Sequence, residues 1–400
     1  MSQRSNTLLL LVVVLAACLT QFASDIYTPS LPAIAESLKT PVNMVQWSMA
    51  IYMFGVALSQ LFYGPISEGV GRKGPMVFGM SVMLVGSVIC MFAPSIQVLI
   101  LGRFIQGCGA GACACLWRSI FRDTFTGDEL AKYGSYLTVF IMFIVPAAPA
   151  LGGYLQHLFG WQANFVFLCG YTLIALLAVI LGYRETSTSH HPERLKPAYC
   201  LATVKRLLTS RIFMGLTLCT FLSYGAFFAW FTAGPVLLIE HVGLTPVQFG
   251  WLSFIGGGIA YVLAGQINGK FVTRFGMARM MRFGWSVMIV SGLLLLASFY
   301  VVGIELWSIA VPIFLFYFGS TFIWPNAFAQ AFTPFGDIAG YAGTVYGTMQ
   351  IAGGAVIGGI VSHLPDANQL PLATVFIVAS IAAWFIYEIV VHRSQEAASG

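Results

Sequence analysis

The feature that most constrains this chain is a series of apolar stretches, each about twenty residues long, the length a helix needs to cross the hydrocarbon core of a bilayer. Twelve such stretches follow one another, separated by turn residues and charges. They lie near 7–28, 44–66, 75–94, 97–117, 133–155, 164–183, 211–238, 247–268, 283–303, 306–328, 341–364 and 371–391. The first is too long for a signal-peptide core and lacks a small-residue cleavage site, so we expect an uncleaved helix. The pattern predicts an all-α membrane protein with twelve spanning helices.

The distribution of basic residues predicts the orientation of these helices. With the N-terminus inside, 17 of the 19 Lys and Arg residues fall in cytoplasmic segments. Lys39 falls outside, and Arg103 falls within a helix. Such an excess of basic residues in cytoplasmic loops follows the positive-inside rule. We therefore expect both termini in the cytoplasm, and we attribute the net charge of +5 to topology rather than to nucleic-acid binding.

A polar stretch near the middle of the chain predicts two domains. It divides the sequence into an N-terminal six-helix bundle at 1–184, a cytoplasmic linker at 185–210 and a C-terminal six-helix bundle at 211–400. The segment 64–73 is weakly echoed by 265–276, which indicates an internal repeat. Transporters built from repeats bind substrate between the two halves near the bilayer midplane.

Two charges inside predicted helices are candidates for coupling transport to protons. Asp25 on helix 1 shares a face with Gln21 and Phe22, and Arg103 on helix 4 shares one with Gln106. Burial favours a neutral carboxyl group and a nearby guanidinium favours a charged one, so a contact that changes between two conformations would load and release a proton. The alternatives are a static structural pair or a carboxylate wetted at the helix mouth. Asp25 is expected near the outer end of its helix.

Helix 5 carries a candidate hinge. Pro146 and Pro149 remove backbone donors in the middle of the helix, and Gly152 and Gly153 allow a neighbouring helix to approach closely. An ordinary proline kink is the alternative.

Polar and aromatic residues on two later helices predict the rest of a substrate cavity. Helix 7 carries Tyr224 and Phe228, and helix 10 carries Tyr317, Trp324 and the amide Asn326. Such a mixed face suits ligands that are largely hydrophobic and partly polar. Contact with lipid is the alternative for any single aromatic residue, whereas a spanning-helix amide needs a partner or a wet cavity.

Five motifs give the chain a resemblance to a known family. They are DIYTPSLP at 25–32, GPISEGVGRK at 64–73, RFIQGCG at 103–109, Arg122-Asp123, and PALGG at 149–153. In these motifs the chain resembles the major facilitator superfamily, specifically its twelve-helix drug:proton antiporters of the bicyclomycin and chloramphenicol-resistance type. The loop motif departs from the family pattern at Glu68 and Gly69, and Gln162 replaces the usual Arg after Trp161.

The resemblance implies a fold of two pseudo-symmetric six-helix bundles and a function in multidrug efflux. In that family, alternating access exports small amphipathic or hydrophobic compounds in exchange for protons. It assigns gating to Gly64, Glu68, Gly71, Arg72, Arg122, Asp123 and the helix 5 motif, with Glu68 meeting the start of helix 11. It further implies a monomer in the bacterial inner membrane, with small-molecule substrate, proton and lipid as its partners and no cofactor.

Two other classes of protein are alternatives to a multidrug exporter. A dedicated exporter of a siderophore, an amino acid or a similar metabolite would share the fold, but its site should carry charges matched to its ligand, and few are present. A membrane-embedded enzyme or sensor would need a nucleophile, a base or metal ligands in one place. The eight Cys form no C-x-x-C pair, and His363 stands alone in its helix. The sequence predicts no catalytic or metal site.

Overall fold

The computed structural model describes residues 3–124, 144, 147–183, 185 and 197–394, and in this part of the chain the regular structure is helical. Eleven described helices are long and apolar enough to cross a membrane. A further helical segment, 147–159, is the described part of the predicted fifth span. The prediction of an all-α membrane protein is confirmed.

We number the spanning helices α1–α12 in chain order. In the first half they are α1 (Gln3–Asp25), α2 (Val42–Val70), α3 (Lys73–Met91), α4 (Ile96–Thr124), α5 (147–159) and α6 (Gln162–Gly182). In the second half they are α7 (Arg211–Pro235), α8 (Pro246–Phe275), α9 (Met277–Val301), α10 (Leu306–Phe335), α11 (Ala339–Val361) and α12 (Leu370–Ile386). The amphipathic helix Pro197–Thr209 lies between the halves.

Several helices extend further than the hydropathy pattern predicts. The fourth and eighth end seven residues later than expected, and the ninth begins six residues earlier. These extra turns carry charged side chains such as Lys270 and Arg274. The charges end the apolar stretch in the sequence, although the backbone stays helical. Apolar length marks the hydrocarbon core, and the helices continue beyond it.

Each half is held together mainly by its own helices. In the first half α4 packs against α1, α2 and α3, and α6 packs against α1 and α3. In the second half α7 packs against α11 and α12, while α9 packs against α10 and α12. Between the halves, α2 lies along α11, and the Gln46 Nε2 donates a hydrogen bond to the Thr232 carbonyl oxygen at 2.9 Å. The domain boundaries themselves stay a prediction, because 186–196 lie outside the described residues.

The predicted internal repeat has a backbone counterpart. Gly71 ends α2 with φ 98° and ψ 169°, and Gly276 ends α8 with φ 81° and ψ 156°. Both are left-handed conformations that favour glycine. These turns align Gly64 with Gly269, seven residues earlier in each case.

Candidate functional site

We call the predicted cytoplasmic side of the bundle the inner side and the opposite side the outer side. The first functional feature is a break in the helical backbone at Asp25. Helix α1 ends at this residue, a 3₁₀ turn covers Thr28–Ser30, and a short helix Leu31–Ser37 follows. The break suits the sequence because prolines lack a backbone N–H, and the Thr28 Oγ1 donates a hydrogen bond to the Asp25 carbonyl oxygen at 2.8 Å. The candidate span Val12–Ser37 continues for twelve residues beyond Asp25, so this residue lies near the middle of the span rather than near its outer end.

The carboxyl group of Asp25 is buried, and one of its two oxygens has no hydrogen-bond partner in the part of the chain that the structure describes. The residue is 2% exposed, and its Oδ2 has no hydrogen-bond partner among the described residues. Its charge interacts with the Arg103 guanidinium, but the ion pairs found in the described part of the chain do not join these two groups. The predicted pair are therefore neighbours and not a closed salt bridge.

Arg103 is instead held by the backbone of α1 and by two aromatic rings. Its Nη1 donates to the Ala23 carbonyl oxygen at 2.8 Å and also to the Gln106 Oε1. The guanidinium carbon lies 4.4 Å from the ring centre of Tyr27 and 4.1 Å from that of Tyr52. Rings this close stabilise a desolvated cation through their negative faces. This arrangement places a fixed positive charge near the carboxyl group of Asp25 without forming an ion pair with it.

We expect Arg103→Lys to impair transport strongly. A lysine keeps the charge but cannot stack as a plane between two rings while donating in fixed directions. Measurement of gradient-driven transport in proteoliposomes should show activity far below wild type, with a lower melting temperature. Wild-type transport by the lysine variant would show that charge alone suffices and would contradict this reading. Arg393→Lys, a change in the exposed inner C-terminal segment, is the matched control and should behave as wild type.

Five aromatic residues of the second half form a cluster near Asp25. This aromatic cluster consists of Tyr224 and Phe227 on α7, Tyr261 on α8, and Tyr317 and Trp324 on α10. The Phe227 ring centre lies 5.3 Å from Tyr317 and 5.2 Å from Trp324, and the Tyr261 ring lies 5.5 Å from Tyr317.

The aromatic cluster and the Asp25 carboxyl group lie on opposite sides of the contact between the two halves of the molecule. Tyr224, Tyr261 and Tyr317 lie close enough to Asp25 for a charge on its carboxyl group to act on their hydroxyl groups. One acid of the first half therefore lies opposite three phenols of the second half.

Three members of this cluster, Tyr224, Tyr317 and Trp324, were predicted to line the cavity. Phe227 shares the aromatic face of helix 7 on which Tyr224 was predicted, whereas Tyr261 was not predicted. A signal for Tyr261 was available, because the buried side of α8 carries Tyr261, Ala264 and Asn268 at helical spacing. Phe328 follows Trp324 by about one turn of α10, but it lies outside the cluster and stacks on Phe332, with ring centres 4.1 Å apart.

Four other predicted cavity residues pack within their own half of the molecule. Phe22 contacts the rings of Phe167 and Tyr171 on α6, at 5.8 and 5.4 Å. The Gln106 Nε2 donates to the Ser87 Oγ at 2.8 Å, which places this amide between α4 and α3.

Of the other two, Phe228 lies against Gly354 and Gly358 of α11. The Asn326 Nδ2 donates to the Asn268 Oδ1 at 2.8 Å, so the amide has the partner that a spanning helix requires. Gln21 is half-buried, and no contact of its side chain ties it to the aromatic cluster.

The two glycines of α5 face different partners, which explains why both are present. A Cβ atom on Gly152 would collide with the Ile26 carbonyl oxygen, directly after Asp25. One on Gly153 would collide with the Pro246 carbonyl oxygen at the start of α8. In return, a Cβ on Gly250 would lie 2.6 Å from the Pro149 carbonyl oxygen. Helix α5 thus fits between the break in α1 and the second half. Pro146 lies outside the described residues.

The gating residues predicted for the inner side lie where α2 meets α11. A Cβ atom on Gly64 would collide with the Thr344 Oγ1, and one on Gly340 would collide with the Glu68 Oε1. Glu68 therefore lies at the first turn of α11, where the helix dipole favours a negative charge. Close contact with α11 accounts for the small residue at position 64.

Arg72 connects three elements of the first half at the inner side. Its Nε pairs with the Asp123 Oδ2 at 3.1 Å, and its Nη1 donates to the Ser67 Oγ at 2.7 Å. The Glu185 carboxylate accepts the backbone N–H groups of Arg72 and Lys73, both at 3.0 Å, and so caps α3. Glu185 was not among the predicted gating residues, because its partners lie more than a hundred residues away in the sequence. The side chain of Arg122 lies outside the described part of the chain.

Comparison with known proteins places this geometry in a family. The model of the Major Facilitator Superfamily matches residues 13–363. The bicyclomycin resistance protein homolog of Haemophilus influenzae is 27% identical over 389 residues, covering 96% of each chain. Multidrug resistance protein D of Escherichia coli is 28% identical over 375 residues, covering 92% of each. A chloramphenicol resistance protein of Pseudomonas aeruginosa is 27% identical over 368 residues, covering 88% of this chain and 84% of that protein.

Solved structures agree on the fold. The xylose transporter XylE from E. coli, in a partially occluded inward open conformation, superposes with a TM-score of 0.73 at 14% identity, over 95% of this chain and 98% of that one. A D-xylose–proton symporter superposes with a TM-score of 0.75 at 13% identity, over 96% and 98% of the two chains. The predicted fold and the predicted resemblance to drug-resistance transporters are confirmed. The family match covers most of the sequence, and the chain accordingly belongs to the major facilitator superfamily, as a multi-span membrane transporter and not an enzyme.

Proposed function

We propose that this transporter exports small amphipathic or hydrophobic compounds, including antibiotics, in exchange for protons. The relatives named for resistance to bicyclomycin, chloramphenicol and multiple drugs support efflux. The observation that supports the coupling is the buried carboxyl group at the break of α1, whose Oδ2 has no hydrogen-bond partner among the described residues and which lies near the aromatic cluster of the other half.

In the proposed cycle, the site between Asp25 and the aromatic cluster opens alternately to the two sides of the membrane. A carboxyl group sealed among apolar side chains is more stable when neutral, and it ionises more readily when water reaches it. A proton taken up from the outer side would therefore leave when the inner side opens. Substrate would then compete with the proton for the same site. Each proton moving inward through the membrane potential supplies about 2.3 kcal/mol per 100 mV.

The aromatic cluster supplies recognition in this proposal. Aromatic rings offer large apolar surfaces, and the tyrosine hydroxyls offer hydrogen bonds without fixing one ligand shape. The protein would act as a monomer in the bacterial inner membrane with both termini in the cytoplasm. It would need no cofactor other than the coupling proton.

The proposal is tested in proteoliposomes that carry an imposed pH gradient. Chloramphenicol and bicyclomycin are added in turn, and proton release is followed with a pH-sensitive dye. Antiport predicts proton movement that depends on substrate and runs opposite to it. Uptake driven by the gradient without counter-movement would refute antiport. Coupled movement with an amino acid or a siderophore, and none with either antibiotic, would replace drug efflux with dedicated metabolite export.

A further inference from the structure

The outer side of the molecule carries a cavity of about 680 Å³ whose walls come from both halves. We call it the outer groove. One wall is the segment from Pro29 to Val42, which follows the break in α1, and the other is formed by Ile239, Glu240 and Pro246. The groove begins four residues after Asp25 but opens to the outer side, so it is separate from the aromatic cluster.

The lining of the outer groove combines an apolar surface with a carboxylate on each wall. Pro29, Pro32 and Ile239 supply apolar surface. Glu36 lies on the first-half wall and Glu240 on the second-half wall, and both are exposed. The ion pairs of the described residues include neither of them, although Lys39 lines the same groove.

We propose that the outer groove binds aliphatic diamines from the outer side. An α,ω-diamine has a methylene chain with an ammonium group at each end. Its chain would cover the proline and isoleucine surface, and its two ends would meet Glu36 and Glu240. A volume of 680 Å³ lies within the 300–1,000 Å³ typical of small-molecule sites.

A ligand held in this way would bridge the two halves. The short helix Leu31–Ser37 packs against the segment Val236–His241 of the other half, and the groove lies along that contact. If the proposed alternating access is correct, opening of the outer side separates these walls. A bound diamine therefore favours the closed outer side and inhibits export, since a ligand stabilises the state it binds best.

Binding is tested first, on the full chain in phosphatidylcholine nanodiscs, with 1,6-diaminohexane as the probe in a calorimetric titration. Glu36→Gln and Glu240→Gln should each weaken binding by about two- to fivefold, the range of an exposed ion pair. Lys39→Gln should tighten it by a similar factor, because a repelling charge is removed. Glu305→Gln, an exposed glutamate of the α9–α10 loop outside the groove, is the matched control and should bind as wild type.

Two further measurements decide the proposal. The monoamine 1-aminohexane should bind more weakly than the diamine, and added salt should weaken both. Equal binding by wild type, Glu36→Gln and Glu240→Gln would overturn the site. For the second measurement, the diamine is added outside vesicles during transport. Binding without inhibition would keep the site and refute its effect on gating. Absence of any drug-coupled transport would refute the proposed function while the calorimetric result still stands.

Discussion

Replacing Asp25 with Asn should abolish proton-driven export while leaving the protein folded. The amide has nearly the same size and cannot take up or release a proton. The carboxyl group is 2% exposed and its Oδ2 is unbonded, so the change removes a group that is unfavourable to bury when charged. We expect substrate-induced proton release to fall to the level of protein-free vesicles, with a melting temperature equal to or above that of wild type.

The control for this variant is Asp366→Asn, which changes an exposed carboxylate between α11 and α12. It should transport as wild type does. Exchange of labelled for unlabelled substrate without a pH gradient should persist in Asp25→Asn. Neither substrate binding nor the movement of the two halves requires the proton in this proposal. Undiminished gradient-driven export by Asp25→Asn would remove this residue from the coupling role.

The second large effect is expected for Gly152→Ala, a change of one methyl group. The added Cβ would collide with the Ile26 carbonyl oxygen, which is backbone and cannot turn aside. Overpacking of this kind typically destabilises by about 1–3 kcal/mol. Because the strained contact lies directly after Asp25, transport should also be lost. Thermal unfolding in detergent and transport in proteoliposomes measure the two effects.

Gly170→Ala is the matched control on the neighbouring helix α6, since no atom lies within 4 Å of the Cβ it adds. Replacing a helical glycine with alanine in open space stabilises by about 0.5–1 kcal/mol, so the control should melt at or above the wild-type temperature. If Gly152→Ala melted like the control, α5 would not pack this closely against α1 in the working protein.

The spanning helices could be predicted from the sequence because lipid imposes a local rule. A helix must carry about twenty apolar residues wherever it crosses, and this length can be read without knowing its neighbours. The break at Asp25 was not predicted, because the first predicted helix runs to residue 28 and hydropathy does not register that the backbone leaves the helix three residues earlier. Hydropathy reports the solvent around a segment and not its hydrogen bonds.

The site was only partly predictable for a different reason. The identity of the charged residues was clear, since charges are rare in spanning segments. Their partners were not, because each partner comes from a distant part of the chain. Arg103 binds the Ala23 carbonyl oxygen, and Asn326 pairs with Asn268. Neither partner has a signature beyond being polar and buried, so the folded chain is needed to identify it.

Gly71 and Gly276 share one backbone conformation at matching places in the two halves, although their surroundings differ. A Cβ atom on Gly64 would collide with Thr344 of the other half, whereas no atom lies within 4 Å of a Cβ on Gly269. The shared requirement therefore comes from the turn itself, because a helix that ends with a positive φ favours glycine at that position. In a mutant library selected for transport, we therefore expect substitutions at position 269 to be tolerated and substitutions at position 276 to be lost.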